Sequence, residues 1–177
     1  MKIKDLANIT TGFTFRKRLK NNVEGNVCII QLRDLGENGL LNSSGFFKTR
    51  MKNVRDEHTI HSNDVIFRSR GEDTKAFIAN NVPSNTILSA PLLRIRPDSR
   101  MVLPEFLTWA INQEKSQHYF QTMAKGSHIK MVSKATLGEL QVDTPDLSTQ
   151  KLIVELSRLT NKEQELRELI TKKRLKY

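Results

Sequence analysis

The sequence predicts an α+β fold: a body of mixed strands with small helices, followed by one long C-terminal helix of coiled-coil type. Three observations lead there. Short apolar runs rich in Val and Ile alternate with turn residues as far as Pro97. Past Leu103 the apolar residues change to helical spacing. From Leu147 onward there is no Gly or Pro, and Leu152, Leu156, Leu159, Glu163, Leu166 and Ile170 follow at intervals of 4, 3, 4, 3 and 4. That is a heptad seam with one polar break. The predicted division is a body over 1–146 and a spacer and dimerisation helix over 147–177.

In chain order, Lys4 to Ile9 has a short helical or strand-like apolar spacing and ends at the turn signal Thr10-Thr11-Gly12. Arg16, Lys17, Arg18 and Lys20 then follow with no acidic residue among them, which predicts an exposed basic loop. Val27 to Leu32 reads as a buried strand, and Asp34 to Ser44 as a Gly/Asn/Ser-rich connection. Asp64 to Gly71 is a strand that ends in an Arg-Ser-Arg-Gly turn, on which Arg68 and Arg70 share a face if the strand persists. Ala76–Ala79, Thr86–Leu88 and Leu92–Pro97 are further strands. Pro104 then opens a helix, at the position where its missing N–H is harmless. Phe106, Leu107, Ala110 and Ile111 give that helix an apolar stripe. A second helix runs from Gln117 to Met123, and Ser133 caps a third over Lys134–Glu139. Leu140-Gln141-Val142 reads as a strand before Pro145.

Composition narrows the class. No run approaches the roughly 18 apolar residues of a membrane span, and Met1-Lys2-Ile3-Lys4-Asp5 lacks the apolar stretch of a signal peptide. The single cysteine, Cys28, excludes an intramolecular disulfide, and the expected compartment is the cytoplasm. Net charge is +10. Residues 149–177 hold eight Lys/Arg and four Glu, so +4 lies on the helix and +6 on the body. A solvated helix alone therefore does not explain the excess. Such an excess favours a polyanion, most often nucleic acid.

Several blocks, taken in order, carry a resemblance. They are Asp5 to Thr14, Ile30 to Leu35, Asn63 to Gly71, Leu103 to Leu107, Gly126 to Ile129, and Leu140 to Gln150, the last leading into the heptad helix. Together they resemble the target recognition domain and helical conserved region of a type I restriction-modification specificity subunit. Asn63 stands where that family usually has Gly, and Asn tolerates the same left-handed turn. A second proline is absent from Thr144-Pro145-Asp146. The family usually carries two recognition domains and two helical regions, whereas this chain has one of each and resembles a half-length form. The resemblance implies a non-catalytic subunit that binds double-stranded DNA. It would direct methyltransferase subunits and, through them, a motor-nuclease subunit, with no cofactor or metal of its own. It further implies a homodimer reading a bipartite palindromic site.

A DNA reader needs cations for phosphates and a few side chains for base edges. Three loops supply candidates: Arg16, Lys17, Arg18 and Lys20; Arg68, Ser69, Arg70 and Lys75, around Gly71; and Lys125, Ser127, His128 and Lys130, around Gly126. Arg68 and Arg70 are favoured for base contacts, because a guanidinium bonds guanine in bidentate fashion. A different class is an interaction protein, stand-alone or phage-borne, that captures a specificity or methyltransferase subunit through the helix. A Mg²⁺-dependent nuclease built on Asp64 and Asp73-Thr74-Lys75 is the enzyme alternative. His58 and His61 are the one close histidine pair, with no cysteine nearby to complete a zinc site. Phe106, Trp109 and Tyr119 sit at helical spacing and are expected to pack in the core.

Overall fold

The computed structural model describes residues 1–16, 18–36, 41, 45–52, 54–71, 74–123 and 131–174. The apolar runs read as strands pair into two sheets. The first has the order β1 (Ala7–Thr11), β7 (Leu92–Pro97), β4 (Val65–Arg68), β5 (Ala76–Ile78), with every neighbour antiparallel. The second has the order β3 (Phe47–Thr49), β2 (Val27–Ile30), β6 (Thr86–Leu88). Here β2 runs antiparallel to β3 and parallel to β6.

Period-two geometry explains why the central strands are apolar throughout. Val65 and Phe67 join a core against the helices, while Ile66 between them joins a second core with Cys28, Ile30, Phe77 and Leu88. Likewise Cys28 and Ile30 face that second core, and Val27 and Ile29 turn to a third cluster beyond the second sheet. Both faces of β2 and β4 are covered, so no polar position survives in Val-Cys-Ile-Ile or Val-Ile-Phe. The first sheet meets the second closely. A Cβ on Gly12 would lie 2.7 Å from the carbonyl carbon of Ser89, so only glycine fits there.

The helical half forms as its spacing predicts. Helix α2 (Pro104–Asn112) buries Phe106, Leu107, Ala110 and Ile111. Helix α3 (Glu114–Met123) begins three residues earlier than expected and buries Phe120, whose ring stands 5.1 Å from that of Phe67. Ser133 caps α4 (Lys134–Glu139), its hydroxyl accepting from the Thr136 amide at 3.0 Å. Asn63 takes the left-handed backbone that its place before β4 requires, at φ 72°. The start, whose spacing allowed helix or strand, is both: a short helix α1 (Ile3–Leu6) and then β1. One local reading changes. Leu140-Gln141-Val142 is not a strand: it makes a single bridge, Lys2 to Gln141, because the segment beside it curls into α1 after one pair.

Helix α5 (Leu147–Arg174) runs for 28 residues, roughly 42 Å at ~1.5 Å per residue. Its carboxylate cap is Asp146, which accepts from the amides of Ser148 and Thr149 and from both their hydroxyls. Those bonds hold the Asp146 carboxyl well below its ordinary range. Gln150 is wholly buried. Its side chain accepts from the Leu103 amide at 2.9 Å and donates to the carbonyls of Met101 and Pro145 at 3.0 and 2.8 Å. Ile153 and Val154 pack on the helix-side core. Beyond them the helix leaves the body, and every residue from Arg158 to Arg174 is exposed.

Candidate nucleic-acid interface

Turns that are far apart in sequence meet at the end of the sheets where β4 finishes and β7 starts. The Gly12 amide donates to Leu92 O at 2.8 Å, and the Phe13 amide to Leu88 O at 2.7 Å. The Ala90 amide donates back to Phe13 O at 3.0 Å. Ala90-Pro91 is a cis peptide, and the Ser69 hydroxyl donates to Pro91 O. Arg68 donates from Nη2 to Leu35 O at 2.8 Å. The first predicted loop, the second predicted loop and the turn after β2 therefore share one end of the molecule.

Within this cluster the candidates divide. In the first loop, Phe13, Phe15 and Leu19 pack against the third apolar cluster and pin the segment. That leaves Arg16, Arg18 and Lys20 exposed. Lys17 lies outside the described residues. In the second loop, β4 ends at Arg68, but alternation continues one step further. Ser69 is buried, while Arg68 is half-buried and Arg70 exposed. The Arg68 guanidinium sits 5.7 Å from the centre of the Phe77 ring and is tied to Leu35, so it braces the neighbouring turn. Ser69 serves as an internal strut to Pro91. Arg70 is the residue of this loop that reaches solvent, beside Gly71, whose φ of 129° suits glycine. Lys75 is half-buried, and its carbonyl accepts from the Arg68 amide at 2.9 Å.

The third loop, with Lys125, Ser127, His128 and Lys130, lies outside the described residues. Its C-terminal flank does reach the cluster: Met131 bridges to Arg70, and the Val132 amide donates to Ser69 O at 2.8 Å.

One cation of the cluster escaped the sequence reading. Arg33 stacks on Phe47, its guanidinium carbon 4.1 Å from the ring centre. A groove of about 440 Å³ runs beside it, lined by Phe13, Arg18, Gln31, Arg33 and Phe47 among others. Asp34 holds the turn in shape: its buried carboxylate accepts from the Gln31 amide at 2.8 Å, and burial pushes its pKa up. The sequence shows Arg33 inside Gln-Leu-Arg-Asp, but the ring beneath it comes from β3, a three-residue strand that is not legible in advance.

Of the described residues weighed for other chemistry, Asp64 and His61 have structural partners. Asp64 is 2% exposed and accepts from Arg96 Nε and Nη2 and from the His61 amide. Asp73 lies outside the described residues. The His61 ring is 3.3 Å from Asp56 and 3.0 Å from the Thr59 hydroxyl. Among the described residues no three His, Cys, Asp or Glu side chains group as a metal site. Phe106 is buried, Trp109 lies 5.5 Å from it ring to ring, and Tyr119 donates to Thr136 O.

The sequence model of the type I restriction modification DNA specificity domain matches residues 1–175. The chain belongs to this family. A curated relative, the Type I restriction enzyme HindI specificity subunit of Haemophilus influenzae, is 24% identical over 149 residues, covering 79% of this chain and 31% of the relative. The fold is that of solved specificity subunits. The S subunit of a type I system from M. genitalium superposes with a TM-score of 0.62 at 18% identity, over 93% of this chain and 39% of its own. The HsdS subunit from Thermoanaerobacter tengcongensis gives 0.66 at 16% identity, over 96% and 38%. The chain thus spans about a third of the length of these family members. No helix among the described residues is long and apolar enough to cross a membrane.

Proposed function

We propose that this chain is a non-catalytic specificity subunit that reads a DNA sequence on behalf of separate methyltransferase and motor-nuclease subunits in the cytoplasm. Residues 1–146 serve as the recognition domain and 147–177 as the spacer. The observation that carries this reading is that Arg18 and Arg33 line an aromatic-floored groove, while Arg70 stands on the turn after β4, whose Ser69 bonds to Pro91 beside the groove-lining Ala90. Arg16, Arg18 and Lys20 supply phosphate contacts that set position, with Lys17, Lys125 and Lys130 as further cations of the same loops. Arg33 and Arg70 supply base contacts. Phe47 holds the Arg33 guanidinium flat, which reduces the side-chain entropy lost when it meets a guanine edge. Arg68 and Ser69 shape the loop that presents Arg70. Ser127 and His128 lie in the loop whose flank pairs with Arg70.

Methylation and cleavage belong to the partner subunits, with S-adenosylmethionine, ATP and Mg²⁺ bound there. Two copies pair through the exposed stripe of α5, so that a two-fold assembly reads two inverted half-sites. The same stripe supports the second reading, capture of a different helix on a host subunit.

Methylome sequencing of cells that express this chain with its neighbouring methyltransferase gives the target. Binding of the purified chain to that target is then compared with binding to scrambled DNA. Arg33→Ala and Arg70→Ala are each expected to cost about 1–3 kcal/mol of discrimination. Arg16→Ala is expected to weaken both DNAs alike. Co-purification with a subunit but equal affinity for target and scrambled DNA would favour the capture reading instead.

A further inference from the structure

We infer that Gln31 selects an adenine, and that this adenine lies within two base pairs of the guanine met by Arg33. The inference rests on the DNA reading proposed above. It adds a specificity-determining residue and names the base it selects.

Gln31 follows β2 directly, and Arg33 stands two residues on, in the turn from Leu32 to Asp34. Leu32 between them packs on the second core, while both flanking side chains line the groove of about 440 Å³. β2 is paired on both edges, with β3 and with β6, so the strand that carries Gln31 is held from two sides. Asp34 closes the turn above it. Its buried carboxylate accepts from the Gln31 amide at 2.8 Å, and its own amide donates back to Gln31 O at 3.0 Å. Both backbone groups of Gln31 are thus bonded, and the freedom that remains to it lies in its side-chain torsions. A reading group placed by a fixed backbone is held to the tolerance that recognition needs.

The chemistry of the carboxamide names the base. Among the described residues that line the groove, Gln31 is the one with a carboxamide. A guanidinium offers donors only, and guanine presents two acceptors, N7 and O6, on its major-groove edge. A carboxamide offers one donor and one acceptor side by side. Adenine presents the complement, N7 as acceptor and the N6 amino group as donor. Against guanine the Gln31 oxygen would face O6, acceptor against acceptor. Cytosine offers only its amino group, and thymine only O4 beside a methyl. Ser89 lines the same groove, but its hydroxyl is committed to Ile30 O at 3.2 Å.

Spacing sets the window. Two residues of chain span at most ~7 Å, and successive base pairs are ~3.4 Å apart. Two side chains that enter one groove from such a turn meet bases no more than two steps apart.

Base analogues test this atom by atom, with the purified full chain and duplexes of the target that methylome sequencing gives. 7-Deazaguanine at each guanine in turn, with Arg33→Ala beside the native chain, locates the base that Arg33 meets. 7-Deazaadenine at each adenine in turn deletes N7. At one adenine within two base pairs of that guanine it is expected to weaken the native chain about tenfold and Gln31→Ala not at all. Gln31→Glu offers acceptors only, so its preference at that position is expected to move to cytosine. Unfolding midpoints check that both variants are folded, and the analogue series on the native chain needs no variant. A Gln31 that only shapes the turn would lower affinity by one factor for every analogue, which overturns the inference. So would a native chain indifferent to 7-deazaadenine inside the window, or an adenine preference retained by Gln31→Glu. Coupling of Arg33 to guanine without coupling of Gln31 to adenine removes this inference and leaves the reading beneath. Equal binding of target and scrambled DNA by the native chain removes both.

Discussion

Asp64 and Arg96 meet as a fork against a fork, two N–H groups on two carboxylate oxygens, at 2.8 Å each. Asp64 stands one residue before β4 and Arg96 on β7. The pair therefore closes the end of the first sheet opposite the basic cluster, where Arg94 also lies buried, donating to Thr59 O at 2.9 Å. Replacing Asp64 by Asn leaves Arg96 without its anion. The loss expected is about 2 kcal/mol, below the roughly 3–5 kcal/mol of a fully buried pair, because water still screens Arg96. The Arg96 side chain keeps 31% of its exposure. A shift of the urea midpoint at unchanged slope checks it. An unchanged midpoint would mean that the fork contributes little net stability.

Gln150→Leu is expected to be more damaging than a helix-surface change has any right to be. It would take from the Leu103 amide and from the carbonyls of Met101 and Pro145 the part-buried bonds that Gln150 makes to them. At about 1 kcal/mol for each such bond lost, less where water reaches the Met101 carbonyl, a loss of about 2 kcal/mol is expected. Hydrogen exchange would show it locally, as faster exchange over residues 147–154 than over β4 and β7.

Acid should loosen the N-terminus first. Bonds from Lys2 and then Lys4 hold the Glu139 carboxyl at about 2, down from 4.5. A depressed carboxyl stabilises the fold above its unfolded value and loses that contribution as pH falls toward the folded one. The window is therefore from about 4.5 down to about 2. Glu139→Gln should lower stability at pH 6 and flatten the decline through that window. Parallel curves for the two proteins would remove Glu139 from the acid response.

The proposed spacer can be lengthened without spoiling its heptad spacing. A second copy of residues 157–163 inserted after Glu163 adds one heptad and keeps the stripe in step. It should move the preferred half-site spacing outward by ~10 Å, about three base pairs at ~3.4 Å each. A preference that stays put would mean that α5 does not set the gap.

How much of this was legible beforehand depends on what each residue needed in order to act. β2 and β4 could be read from composition, since strands covered on both faces must be apolar on both. The long helix could be read from spacing, and its emergence from the body from its length. β3 could not be read, because Phe47-Lys48-Thr49 has no pattern until β2 lies beside it. Leu140–Val142 misled for the opposite reason: its alternating burial comes from packing against α1, with one backbone bridge and no ladder. In the basic cluster, the residue types were visible and their local partners were not. Ser69 and Arg68 stand next to Arg70 in sequence, yet their side chains are tied to Pro91 and Leu35. Arg33 became visible only once Phe47 lay under it.

The three bonds of Gln150 also set a tolerance. Arg174 lies 24 residues beyond that anchor, a lever arm of ~36 Å. A tilt of about 10° at the root would swing the tip by roughly 6 Å over that arm, close to two base pairs of DNA. A spacing rule on DNA survives only if the root is stiffer than that. A buried amide bonded on three sides is stiffer than apolar contact alone, which allows sliding. Aim, more than stability, is what the buried glutamine provides.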